Sequence, residues 1–483
     1  MTTVLERFDA ASDRGIDPVP ASERVLSALD LAVLWGDLGI GLLVLVTGAL
    51  LVPGLGFGTA VAAIILGSLV GVALLGLVAV AGADHGVPTM VLFRPILGTR
   101  GSWMPSVLNA LQLIGWTAVE LWAMSFVADL VAERVFGFSA RWLWLAVAVV
   151  TCTWLALWGP VGVTRVWMKR FGAWVIVAIC AAVTFLLLVR DGSWAAITRP
   201  ASGGWPTFGP ALDLVIAMPI SWLPLVADYT RFATRPRAAF LGTFGGYLVA
   251  NVWLYTVGCM LVLSTGATPD PAGIAGGILA VAGGSIAGVL FLVGLLVGET
   301  DEAFADIYSG AVCLQNISPK SSRKALTVGI AAIAAVLATW LTMERYETFL
   351  FLMGSVLVPL FGLLAAEYFV TRRRILDVAA LYARRGPYWF SGGFRLQPLV
   401  PWAAGFITYQ WIAPIGPEWW IDAVRALLGP ALSVHWPWLP ASLPSLGVAF
   451  LVTLMLPGGE RGRPEAGEGG VGAYHPGAPT PER

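Results

Sequence analysis

The chain has 483 residues and no formal net charge; 58% of its residues are hydrophobic and only 12% are charged. Soluble domains carry about 25% charged residues, so this composition excludes a soluble protein. Stretches of about 20 apolar residues recur along nearly the whole chain, and each is long enough to cross a bilayer as a helix. The sequence therefore predicts a polytopic α-helical membrane protein, and no nucleic-acid partner is expected.

Twelve membrane-spanning helices are predicted between two polar tails. Residues 1–24 lack the apolar segment of a cleaved signal peptide and are expected to form a cytoplasmic tail. Residues 458–483 are rich in glycine, proline and glutamate, so they are expected to form a disordered cytoplasmic tail. The predicted spans are 27–51, 57–82, 103–130, 141–159, 166–189, 209–228, 238–264, 280–306, 325–343, 348–371, 398–415 and 439–457.

The distribution of lysine and arginine predicts which way the chain crosses the membrane. With the N-terminus in the cytoplasm, 23 of the 29 basic residues fall in segments predicted to be cytoplasmic, and 6 fall outside. An excess of basic residues marks the cytoplasmic side. Both termini are therefore predicted to be cytoplasmic, with the protein in the inner (plasma) membrane.

Spans 1 and 6 are interrupted at corresponding places. Span 1 contains WGDLGIG, Trp35 to Gly41, and span 6 contains AMPISWLP, in which Pro219 and Pro224 flank Ser221 and Trp222. Glycine and proline weaken the helical ladder and free backbone groups. Because the two breaks are five spans apart, they predict two inverted five-helix repeats with a binding site at the bilayer midplane. Ordinary kinks are the alternative.

A polar stripe in span 3 is the strongest candidate for substrate recognition. In LQLIGWTAVELWAM, Gln112, Trp116 and Glu120 are spaced by four and share one helix face, with Asn109 just above them. A carboxylate at the bilayer centre costs about 2.5–3.5 kcal/mol, so it is a functional candidate. An indole that stacks on a ring and a carboxylate that accepts hydrogen bonds suit an aminopyrimidine. The alternative is that Trp116 packs and Glu120 pairs with another helix.

The break in span 6 offers two further substrate ligands. Trp222 is a candidate second aromatic face, and Ser221 or a freed backbone group is a candidate hydrogen-bonding partner. The alternative for Trp222 is packing or a place at the membrane interface. Asp228 and Arg231, near the cytoplasmic end of the span, are expected to form a structural pair or a gate.

Span 8 carries an acidic segment, GETDEAFADIYSG, beginning at Gly298. Glu299, Glu302 and Asp306 share one helix face, and Thr300 lies on another. Hard cations take oxygen ligands and carboxylate chains serve as proton relays, so Glu299 and Thr300 are assigned to a site. A position at the cytoplasmic boundary is favoured for Glu302. Freed carbonyls near Asp37, in span 1, together with Thr300 predict a Na⁺ cage.

Three segments resemble the nucleobase:cation symporter-1 family, which includes cytosine, purine, allantoin and hydantoin permeases. They are GSWMPSVLNALQLIGW, SWLPLVADYTRF and ETDEAFADIYSGAV. Within the family, LGIGLLVLVTGALLVPG, AMPISWLPLVADYTRFA and ETDEAFADIYS are most similar to CytX-type permeases assigned to hydroxymethylpyrimidine, a thiamine precursor. The resemblance covers about Val25 to Pro457.

The resemblance implies a LeuT-like fold with two inverted five-helix repeats and two C-terminal helices. It places the transporter domain at 25–457, with repeat one at about 25–190, repeat two at about 209–372 and the extra helices at about 398–457. It implies that Trp116 stacks on the substrate ring and that Glu120 hydrogen-bonds it, at a position where the hydantoin permease has glutamine.

The resemblance also implies which residues bind the coupling cation and which bind the substrate. Its cation site uses backbone carbonyls of span 1 and hydroxyls of span 8. The cation-binding candidates are therefore Asp37, Ile40, Gly41, Thr300 and Glu299. The substrate-binding candidates are Trp116, Glu120, Gln112, Ser221, Trp222, Asp37, Glu299 and Asp306. Span 8 departs from the family by having acids where asparagine and hydroxyl residues are usual, which leaves both Na⁺ and H⁺ open as the coupling ion.

The predicted function is secondary active import of an aminopyrimidine, with hydroxymethylpyrimidine favoured, by a cation-coupled symporter without enzymatic activity. A cytosine or purine permease of the same family is the alternative. A membrane prenyl-transferase-type enzyme is disfavoured because Asp301 and Asp306 only poorly approach the acidic clusters it would need. The four scattered cysteines lack metal or disulfide spacing, and no cofactor is predicted.

Overall fold

The computed structural model describes residues 15–158, 173–318, 320–383 and 385–456. The first fourteen residues, the start of the fifth predicted span and the predicted disordered tail lie outside these ranges. Within them, the only β-type pairings are two isolated bridges. The expectation of an all-helical protein is confirmed.

The described chain forms 21 α-helices of very different lengths, together with a short 3-10 helix at Ala21–Glu23 and a π-helical segment at Ala366–Thr371. The helices are α1 (Ala28–Asp37), α2 (Leu42–Ala49), α3 (Phe57–His85), α4 (Thr89–Leu92), α5 (Arg94–Leu97), α6 (Trp103–Phe136), α7 (Arg141–Trp158), α8 (Ala173–Val189), α9 (Ser193–Ile197), α10 (Phe208–Ser221), α11 (Leu223–Thr230), α12 (Pro236–Thr265), α13 (Pro271–Val281), α14 (Ile286–Ile317), α15 (Arg323–Ala338), α16 (Met343–Ala365), α17 (Val378–Tyr382), α18 (Leu399–Ile412), α19 (Glu418–Leu428), α20 (Leu432–His435) and α21 (Ser442–Met455).

Length and apolar composition qualify only some of these helices as membrane spans. Five continuous helices in the described ranges are long and apolar enough, and the bent pair α1–α2 makes a sixth. They are Phe57–His85, Trp103–Phe136, Phe208–Thr230, Pro236–Thr265 and Met343–Thr371. Helix α14 is 32 residues long but carries the acidic segment, and helices of 14 to 18 residues occupy the other predicted spans.

The two predicted interruptions differ in size. Helix α1 ends at Asp37 and α2 begins at Leu42, with a bend of 64° between them, so span 1 is broken as expected. Only Trp222 separates α10 from α11, and Phe208–Thr230 remains long enough to count as one span. The prolines of span 6 therefore perturb the hydrogen-bond ladder without separating its two halves.

The carbonyls affected by the span 6 break have partners on other helices. Pro219 has no N–H to donate to Val215 O, and the Tyr255 hydroxyl donates to that oxygen at 3.3 Å. At the break, Leu225 N donates to Trp222 O instead of Ser221 O. The Ser221 carbonyl accepts a hydrogen bond from Gln112 Nε2 at 2.7 Å, which joins α6 to the break.

Two groups of helices pack around the broken segments. One contains α1, α3, α10, α11 and α12, and the other contains α6, α7, α14 and α15. Helix α1 packs on α12 while α10 packs on α3, and α7 packs on α14 while α15 packs on α6. In span numbers, span 1 packs on span 7 as span 6 packs on span 2, and span 4 packs on span 8 as span 9 packs on span 3. Counterpart spans, which are five apart, therefore make equivalent contacts.

Asp213 is a buried acid in α10 that the sequence analysis did not single out. Its carboxylate accepts hydrogen bonds from Ala441 N at 2.7 Å and Ser442 N at 2.9 Å, so it caps the N-terminus of α21. A negative charge at this position stabilises a helix N-terminus. Asp213 therefore has a structural role, fixing the last helix to span 6.

We expect Asp213→Ala to lower the free energy of unfolding by about 1–2 kcal/mol, because two buried N–H groups at the α21 N-terminus lose their acceptor. Asp213→Asn keeps one acceptor oxygen and is expected to lose less. Thermal unfolding of the purified protein in detergent measures both, with the exposed Asp422→Ala as the matched control. An Asp213→Ala protein that melts with the wild type would contradict the capping role.

Candidate functional site

Three carboxyl groups meet between α6 and α14. One carboxylate oxygen from each of Glu120, Glu299 and Glu302 lies within 4.8 Å of the others. All three side chains are buried, with 6% exposure at most. Like charges repel strongly at this distance in a medium of low dielectric constant. The cluster therefore needs protons or a bound cation to be stable.

The position expected for Glu302 is wrong. The sequence analysis favoured the cytoplasmic boundary because it ended span 8 at residue 306. The helix continues to Ile317, so Glu302 lies well inside it, three residues from Glu299 on the same face. The polar residues Ser309 and Asn316, which blurred the end of the apolar run, are both buried in the structure.

The break in span 1 faces this carboxyl cluster. Glu299 Oε1 accepts a hydrogen bond from the backbone N of Leu42, the first residue of α2. The unpaired N–H groups and dipole of α2 thus favour negative charge on Glu299. A Cβ atom on Gly41 would lie 2.7 Å from Glu302 Oε1 and 3.0 Å from Glu299 Oε1, so glycine lets both carboxylates approach the break closely.

The remaining predicted cation ligands are only partly brought together. Ile40 O lies 3.9 Å from the position that a Cβ of Gly298 would occupy, so its carbonyl faces α14. Asp37 O accepts from Ile40 N at 2.9 Å, and Asp37 Oδ1 is buried without a hydrogen-bond partner. Thr300 Oγ1 donates to Leu296 O of its own helix at 2.7 Å, on a different face from the cluster.

The predicted stripe on α6 is buried along its length. Asn109 and Gln112 are fully buried, and Trp116 and Glu120 nearly so. Gln112 Nε2 donates to Asn109 Oδ1 at 3.0 Å as well as to the Ser221 carbonyl. Asn109 Nδ2 donates in turn to Cys313 Sγ at 2.8 Å. The amide end of the stripe thus connects α6 with α10 and α14.

Several polar atoms of the stripe and the cluster have no hydrogen-bond partner within the described residues. They are Gln112 Oε1, Trp116 Nε1, Glu120 Oε2, Glu299 Oε2 and Glu302 Oε1. A buried polar group without a partner costs about 1–3 kcal/mol by mutational measures. Five such atoms in one region therefore mark a place where a polar occupant would be stabilised. Four of the five are acceptors, so the region is suited to an occupant rich in donors.

Two aromatic residues of α16 flank Trp116, and the sequence analysis missed them. The Phe349 ring lies edge-on at 5.3 Å between centroids, and the Tyr346 ring at 6.3 Å. A Cβ on Gly115 would approach the Phe349 ring to 2.6 Å, so glycine permits the contact. The Tyr346 hydroxyl is 2.8 Å from Thr47 Oγ1, which links α16 to α2. The sequence signal for these residues is their spacing in YETF, because aromatic residues three positions apart share one helix face.

The other predicted substrate ligands have mixed outcomes. Trp222 packs edge-on against Trp35 at 5.9 Å between centroids, and no ring contact joins it to Trp116 in the described part of the chain. Ser221 Oγ donates to Ala217 O of its own helix at 2.7 Å, so its carbonyl makes the contact with α6. Asp306 is buried one turn beyond Glu302 on the same face of α14.

The chain belongs to a class of membrane transporters. The sequence profile of the family of permeases for cytosine/purines, uracil, thiamine and allantoin matches residues 18–428. The chain therefore belongs to this family, the nucleobase:cation symporter-1 family that the motifs resemble. The family description and the relatives' names are those of permeases.

Known proteins extend this similarity over most of the chain. A purine-uracil permease of Arabidopsis thaliana is 25% identical over 437 residues, covering 83% of this chain and 71% of its own length. The cytosine permease of Escherichia coli K12 is 26% identical over 388 residues, covering 80% of this chain and 85% of its own length. Mhp1 is a nucleobase-cation-symport-1 family transporter whose structure was solved in a closed conformation with bromovinylhydantoin bound. Its structure has a TM-score of 0.75 to this one at 21% identity, and the match covers 92% of this chain and 94% of Mhp1. The expectation of an all-helical transporter fold is thereby confirmed, and the count of twelve spans stays a prediction.

We expect Glu299→Ala to lower the free energy of unfolding by about 1–3 kcal/mol, because the buried Leu42 N–H loses its acceptor. Glu299→Gln keeps an acceptor oxygen and removes one charge from the cluster, so its thermal stability in detergent should equal or exceed the wild type. Thr300→Ala, at the neighbouring position, is the control and should change little. Equal melting of the Ala and Gln variants at position 299 would refute the hydrogen bond.

Proposed function

We propose that this protein is a secondary symporter that uses a cation gradient to import an aminopyrimidine, with hydroxymethylpyrimidine as the favoured substrate. The observation that carries the proposal is the buried Glu120, one turn from Trp116, with an oxygen that has no partner in the described chain. The alternative substrate is cytosine or a purine, which the names of several relatives include.

The hydrogen-bonding character of the site supports an aminopyrimidine. An exocyclic amine and a protonated ring nitrogen donate to both oxygens of a carboxylate such as Glu120. An imide-type ring instead offers one N–H donor between two carbonyl oxygens, and those oxygens would be repelled by a carboxylate. Stacking on Trp116 would contribute binding energy to any planar ring, so Glu120 supplies the discrimination. The similarity of three segments to CytX-type permeases favours hydroxymethylpyrimidine over cytosine.

The proposed cation site lies between the break in span 1 and α14. Its candidate ligands are the carbonyls of Asp37, Ile40 and Gly41 with Glu299 and the Thr300 hydroxyl. Oxygen ligands of this kind suit Na⁺, and the adjacent carboxyls suit H⁺. A cation here would offset the repulsion within the carboxyl cluster. Cation and substrate would thus each favour the closed state, which is what couples their movements.

The proposed topology has twelve spans with both termini in the cytoplasm of the inner (plasma) membrane. The repeats are 25–190 and 209–372, followed by extra helices at 398–457. The exchange of packing partners between counterpart helices supports the repeats. The distribution of basic residues supports the orientation.

The segment before α1 closes the proposed cytoplasmic side of the site. Arg231, at the end of α11, donates to Gly15 O at 2.9 Å, and the Tyr382 hydroxyl donates to Ile16 O at 2.6 Å. Leu26 N donates to Phe232 O at 2.9 Å. Opening toward the cytoplasm would require these bonds to break, so they would hold the inner gate closed.

The inner end of span 10 is also tied to span 2. Arg374 Nη2 lies 2.7 Å from Asp84 Oδ1, and the Tyr368 hydroxyl donates to Asp84 Oδ2 at 2.6 Å. The hydrogen bond to Asp84 raises the pKa of the Arg374 guanidinium. Together with the Tyr346–Thr47 contact, these bonds tie the two ends of span 10 to α2 and α3.

We expect purified protein to bind hydroxymethylpyrimidine, and Glu120→Gln to weaken that binding by about 10- to 100-fold because a charged hydrogen bond is lost. Tryptophan fluorescence or a thermal shift measures the affinity, with cytosine as the competing ligand and Na⁺ varied at fixed pH. Glu133→Gln is the matched control, since Glu133 is exposed on the same helix.

The outcomes separate the parts of the proposal. Normal binding by Glu120→Gln would refute recognition by the carboxylate. Tighter binding of cytosine than of hydroxymethylpyrimidine would assign the protein to the alternative substrate. Tightening by Na⁺ would place Na⁺ in the linked cycle, and no Na⁺ effect would direct the search for the coupling ion to H⁺.

We expect Arg231→Gln to speed alkylation of Cys313 by about 5- to 30-fold, because the hydrogen bonds that hold the inner gate to Gly15 and Asp17 are lost. Cys313 is 3% exposed, on the cytoplasmic half of α14. Peptide mapping after N-ethylmaleimide treatment measures its modification. Arg237→Gln, an exposed arginine on the same side, is the control. An unchanged rate in Arg231→Gln would show that these bonds do not hold the gate.

A further inference from the structure

An apolar groove of about 730 Å³ opens on the outer surface of the helix bundle, away from the carboxyl cluster. Its walls come from the start of α6, the middle of α16 and the first half of α18. Met104 and Val107 of α6 are 39% and 43% exposed in it. The α6 residue of the groove nearest to Trp116 is Leu108, eight residues and therefore about 12 Å along the helix, and the exposed Met104 and Val107 contrast with the buried Gln112. It is thus separate from the proposed substrate site.

One end of the groove carries a single cation, Arg100. Its side chain is exposed, and it has no carboxylate partner among the residues that the structure describes. The guanidinium lies 5.0 Å from the Trp389 ring and 5.9 Å from the Trp103 ring, and it donates to Gly392 O at 3.4 Å. The nearby Arg395 is paired with Glu367. Arg100 is therefore the charge at the mouth that is free to bind an anion.

The interior of the groove offers almost no polar group to a ligand. The indole N–H of Trp402, on the α18 wall, is already donated to Val356 O at 2.9 Å. Phe406 and Leu108 extend the apolar lining. An occupant must therefore combine a long apolar part, which fills the groove, with an anionic group at one end, which meets Arg100.

We propose that this groove binds one anionic phospholipid, with an acyl chain between α6, α16 and α18 and the phosphate at Arg100. Arginine suits this position because its planar fork binds phosphate through two hydrogen bonds. Tryptophans at the level of the head groups, here Trp103 and Trp389, are typical of membrane interfaces. Free phosphate does not fit the apolar lining.

The inference predicts selective lipid binding by the full-length protein purified in detergent. Native mass spectrometry after titration with dioleoylphosphatidylglycerol or dioleoylphosphatidylcholine measures retained lipid. The wild type should retain the anionic lipid preferentially. Arg100→Gln should reduce that retention about fivefold, which corresponds to about 1 kcal/mol for one basic residue at an anionic lipid surface. It should leave retention of phosphatidylcholine unchanged.

Filling the groove tests the acyl-chain position independently. Ala403→Trp, or Met104→Trp if the first variant does not give a monodisperse protein, should abolish retention of both lipids. Arg237→Gln is the matched control for loss of a basic residue elsewhere on the same side, and it should behave as the wild type. Unchanged lipid preference in Arg100→Gln, unchanged retention in the filled groove, or a wild-type dimer that the filled groove dissociates would each overturn the proposal.

Discussion

The packing of α6 against α14 buries three carboxyl groups together, and the surrounding structure must offset their electrostatic repulsion. Ionised groups of one sign are strongly disfavoured in a low-dielectric interior unless they are compensated. The compensation that the chain itself supplies is the N-terminus of α2, whose first N–H is donated to Glu299. That bond exists only because span 1 is broken and its second half starts at the level of the carboxyl cluster.

The break in span 1 and the break in span 6 serve this site differently. Span 1 bends by 64° and places the buried N-terminus of α2 and Gly41 against the carboxylates. Span 6 stays nearly continuous, and its perturbation frees the Ser221 carbonyl for Gln112. The first break therefore shapes the electrostatics of the site, whereas the second fixes the orientation of the α6 stripe. What remains unpartnered is mainly acceptors, and this imbalance supports a donor-rich substrate and a coupling cation.

Helices α6 and α16 connect the site to the rest of the molecule. Phe349 and Tyr346 of α16 lie against Trp116, and the same helix is tied to α2 at one end and to Asp84 at the other. Farther along, α6 and α16 form two walls of the proposed lipid groove. A change in the position of α16 would thus alter the aromatic wall of the substrate site and the shape of the groove together, because helices transmit displacements along their length.

The sequence by itself determined the helical membrane class, the interrupted spans and the Gln112–Trp116–Glu120 stripe, because apolar length, glycine and proline content and helical periodicity are local properties. The same locality explains the error at Glu302. Packing against α6 and α15 extends its helix beyond the last strongly apolar residues, and local composition does not show this. Only the tertiary structure decided that Glu299 and Glu302 join Glu120, since residues nearly 180 positions apart meet through helix packing. It also decided that Tyr346 and Phe349 flank Trp116, that Trp222 packs against Trp35, and that Asp213 caps a helix more than 200 residues away. Each of these depends on which helices are neighbours, and periodicity within a single helix carries no information about its neighbours.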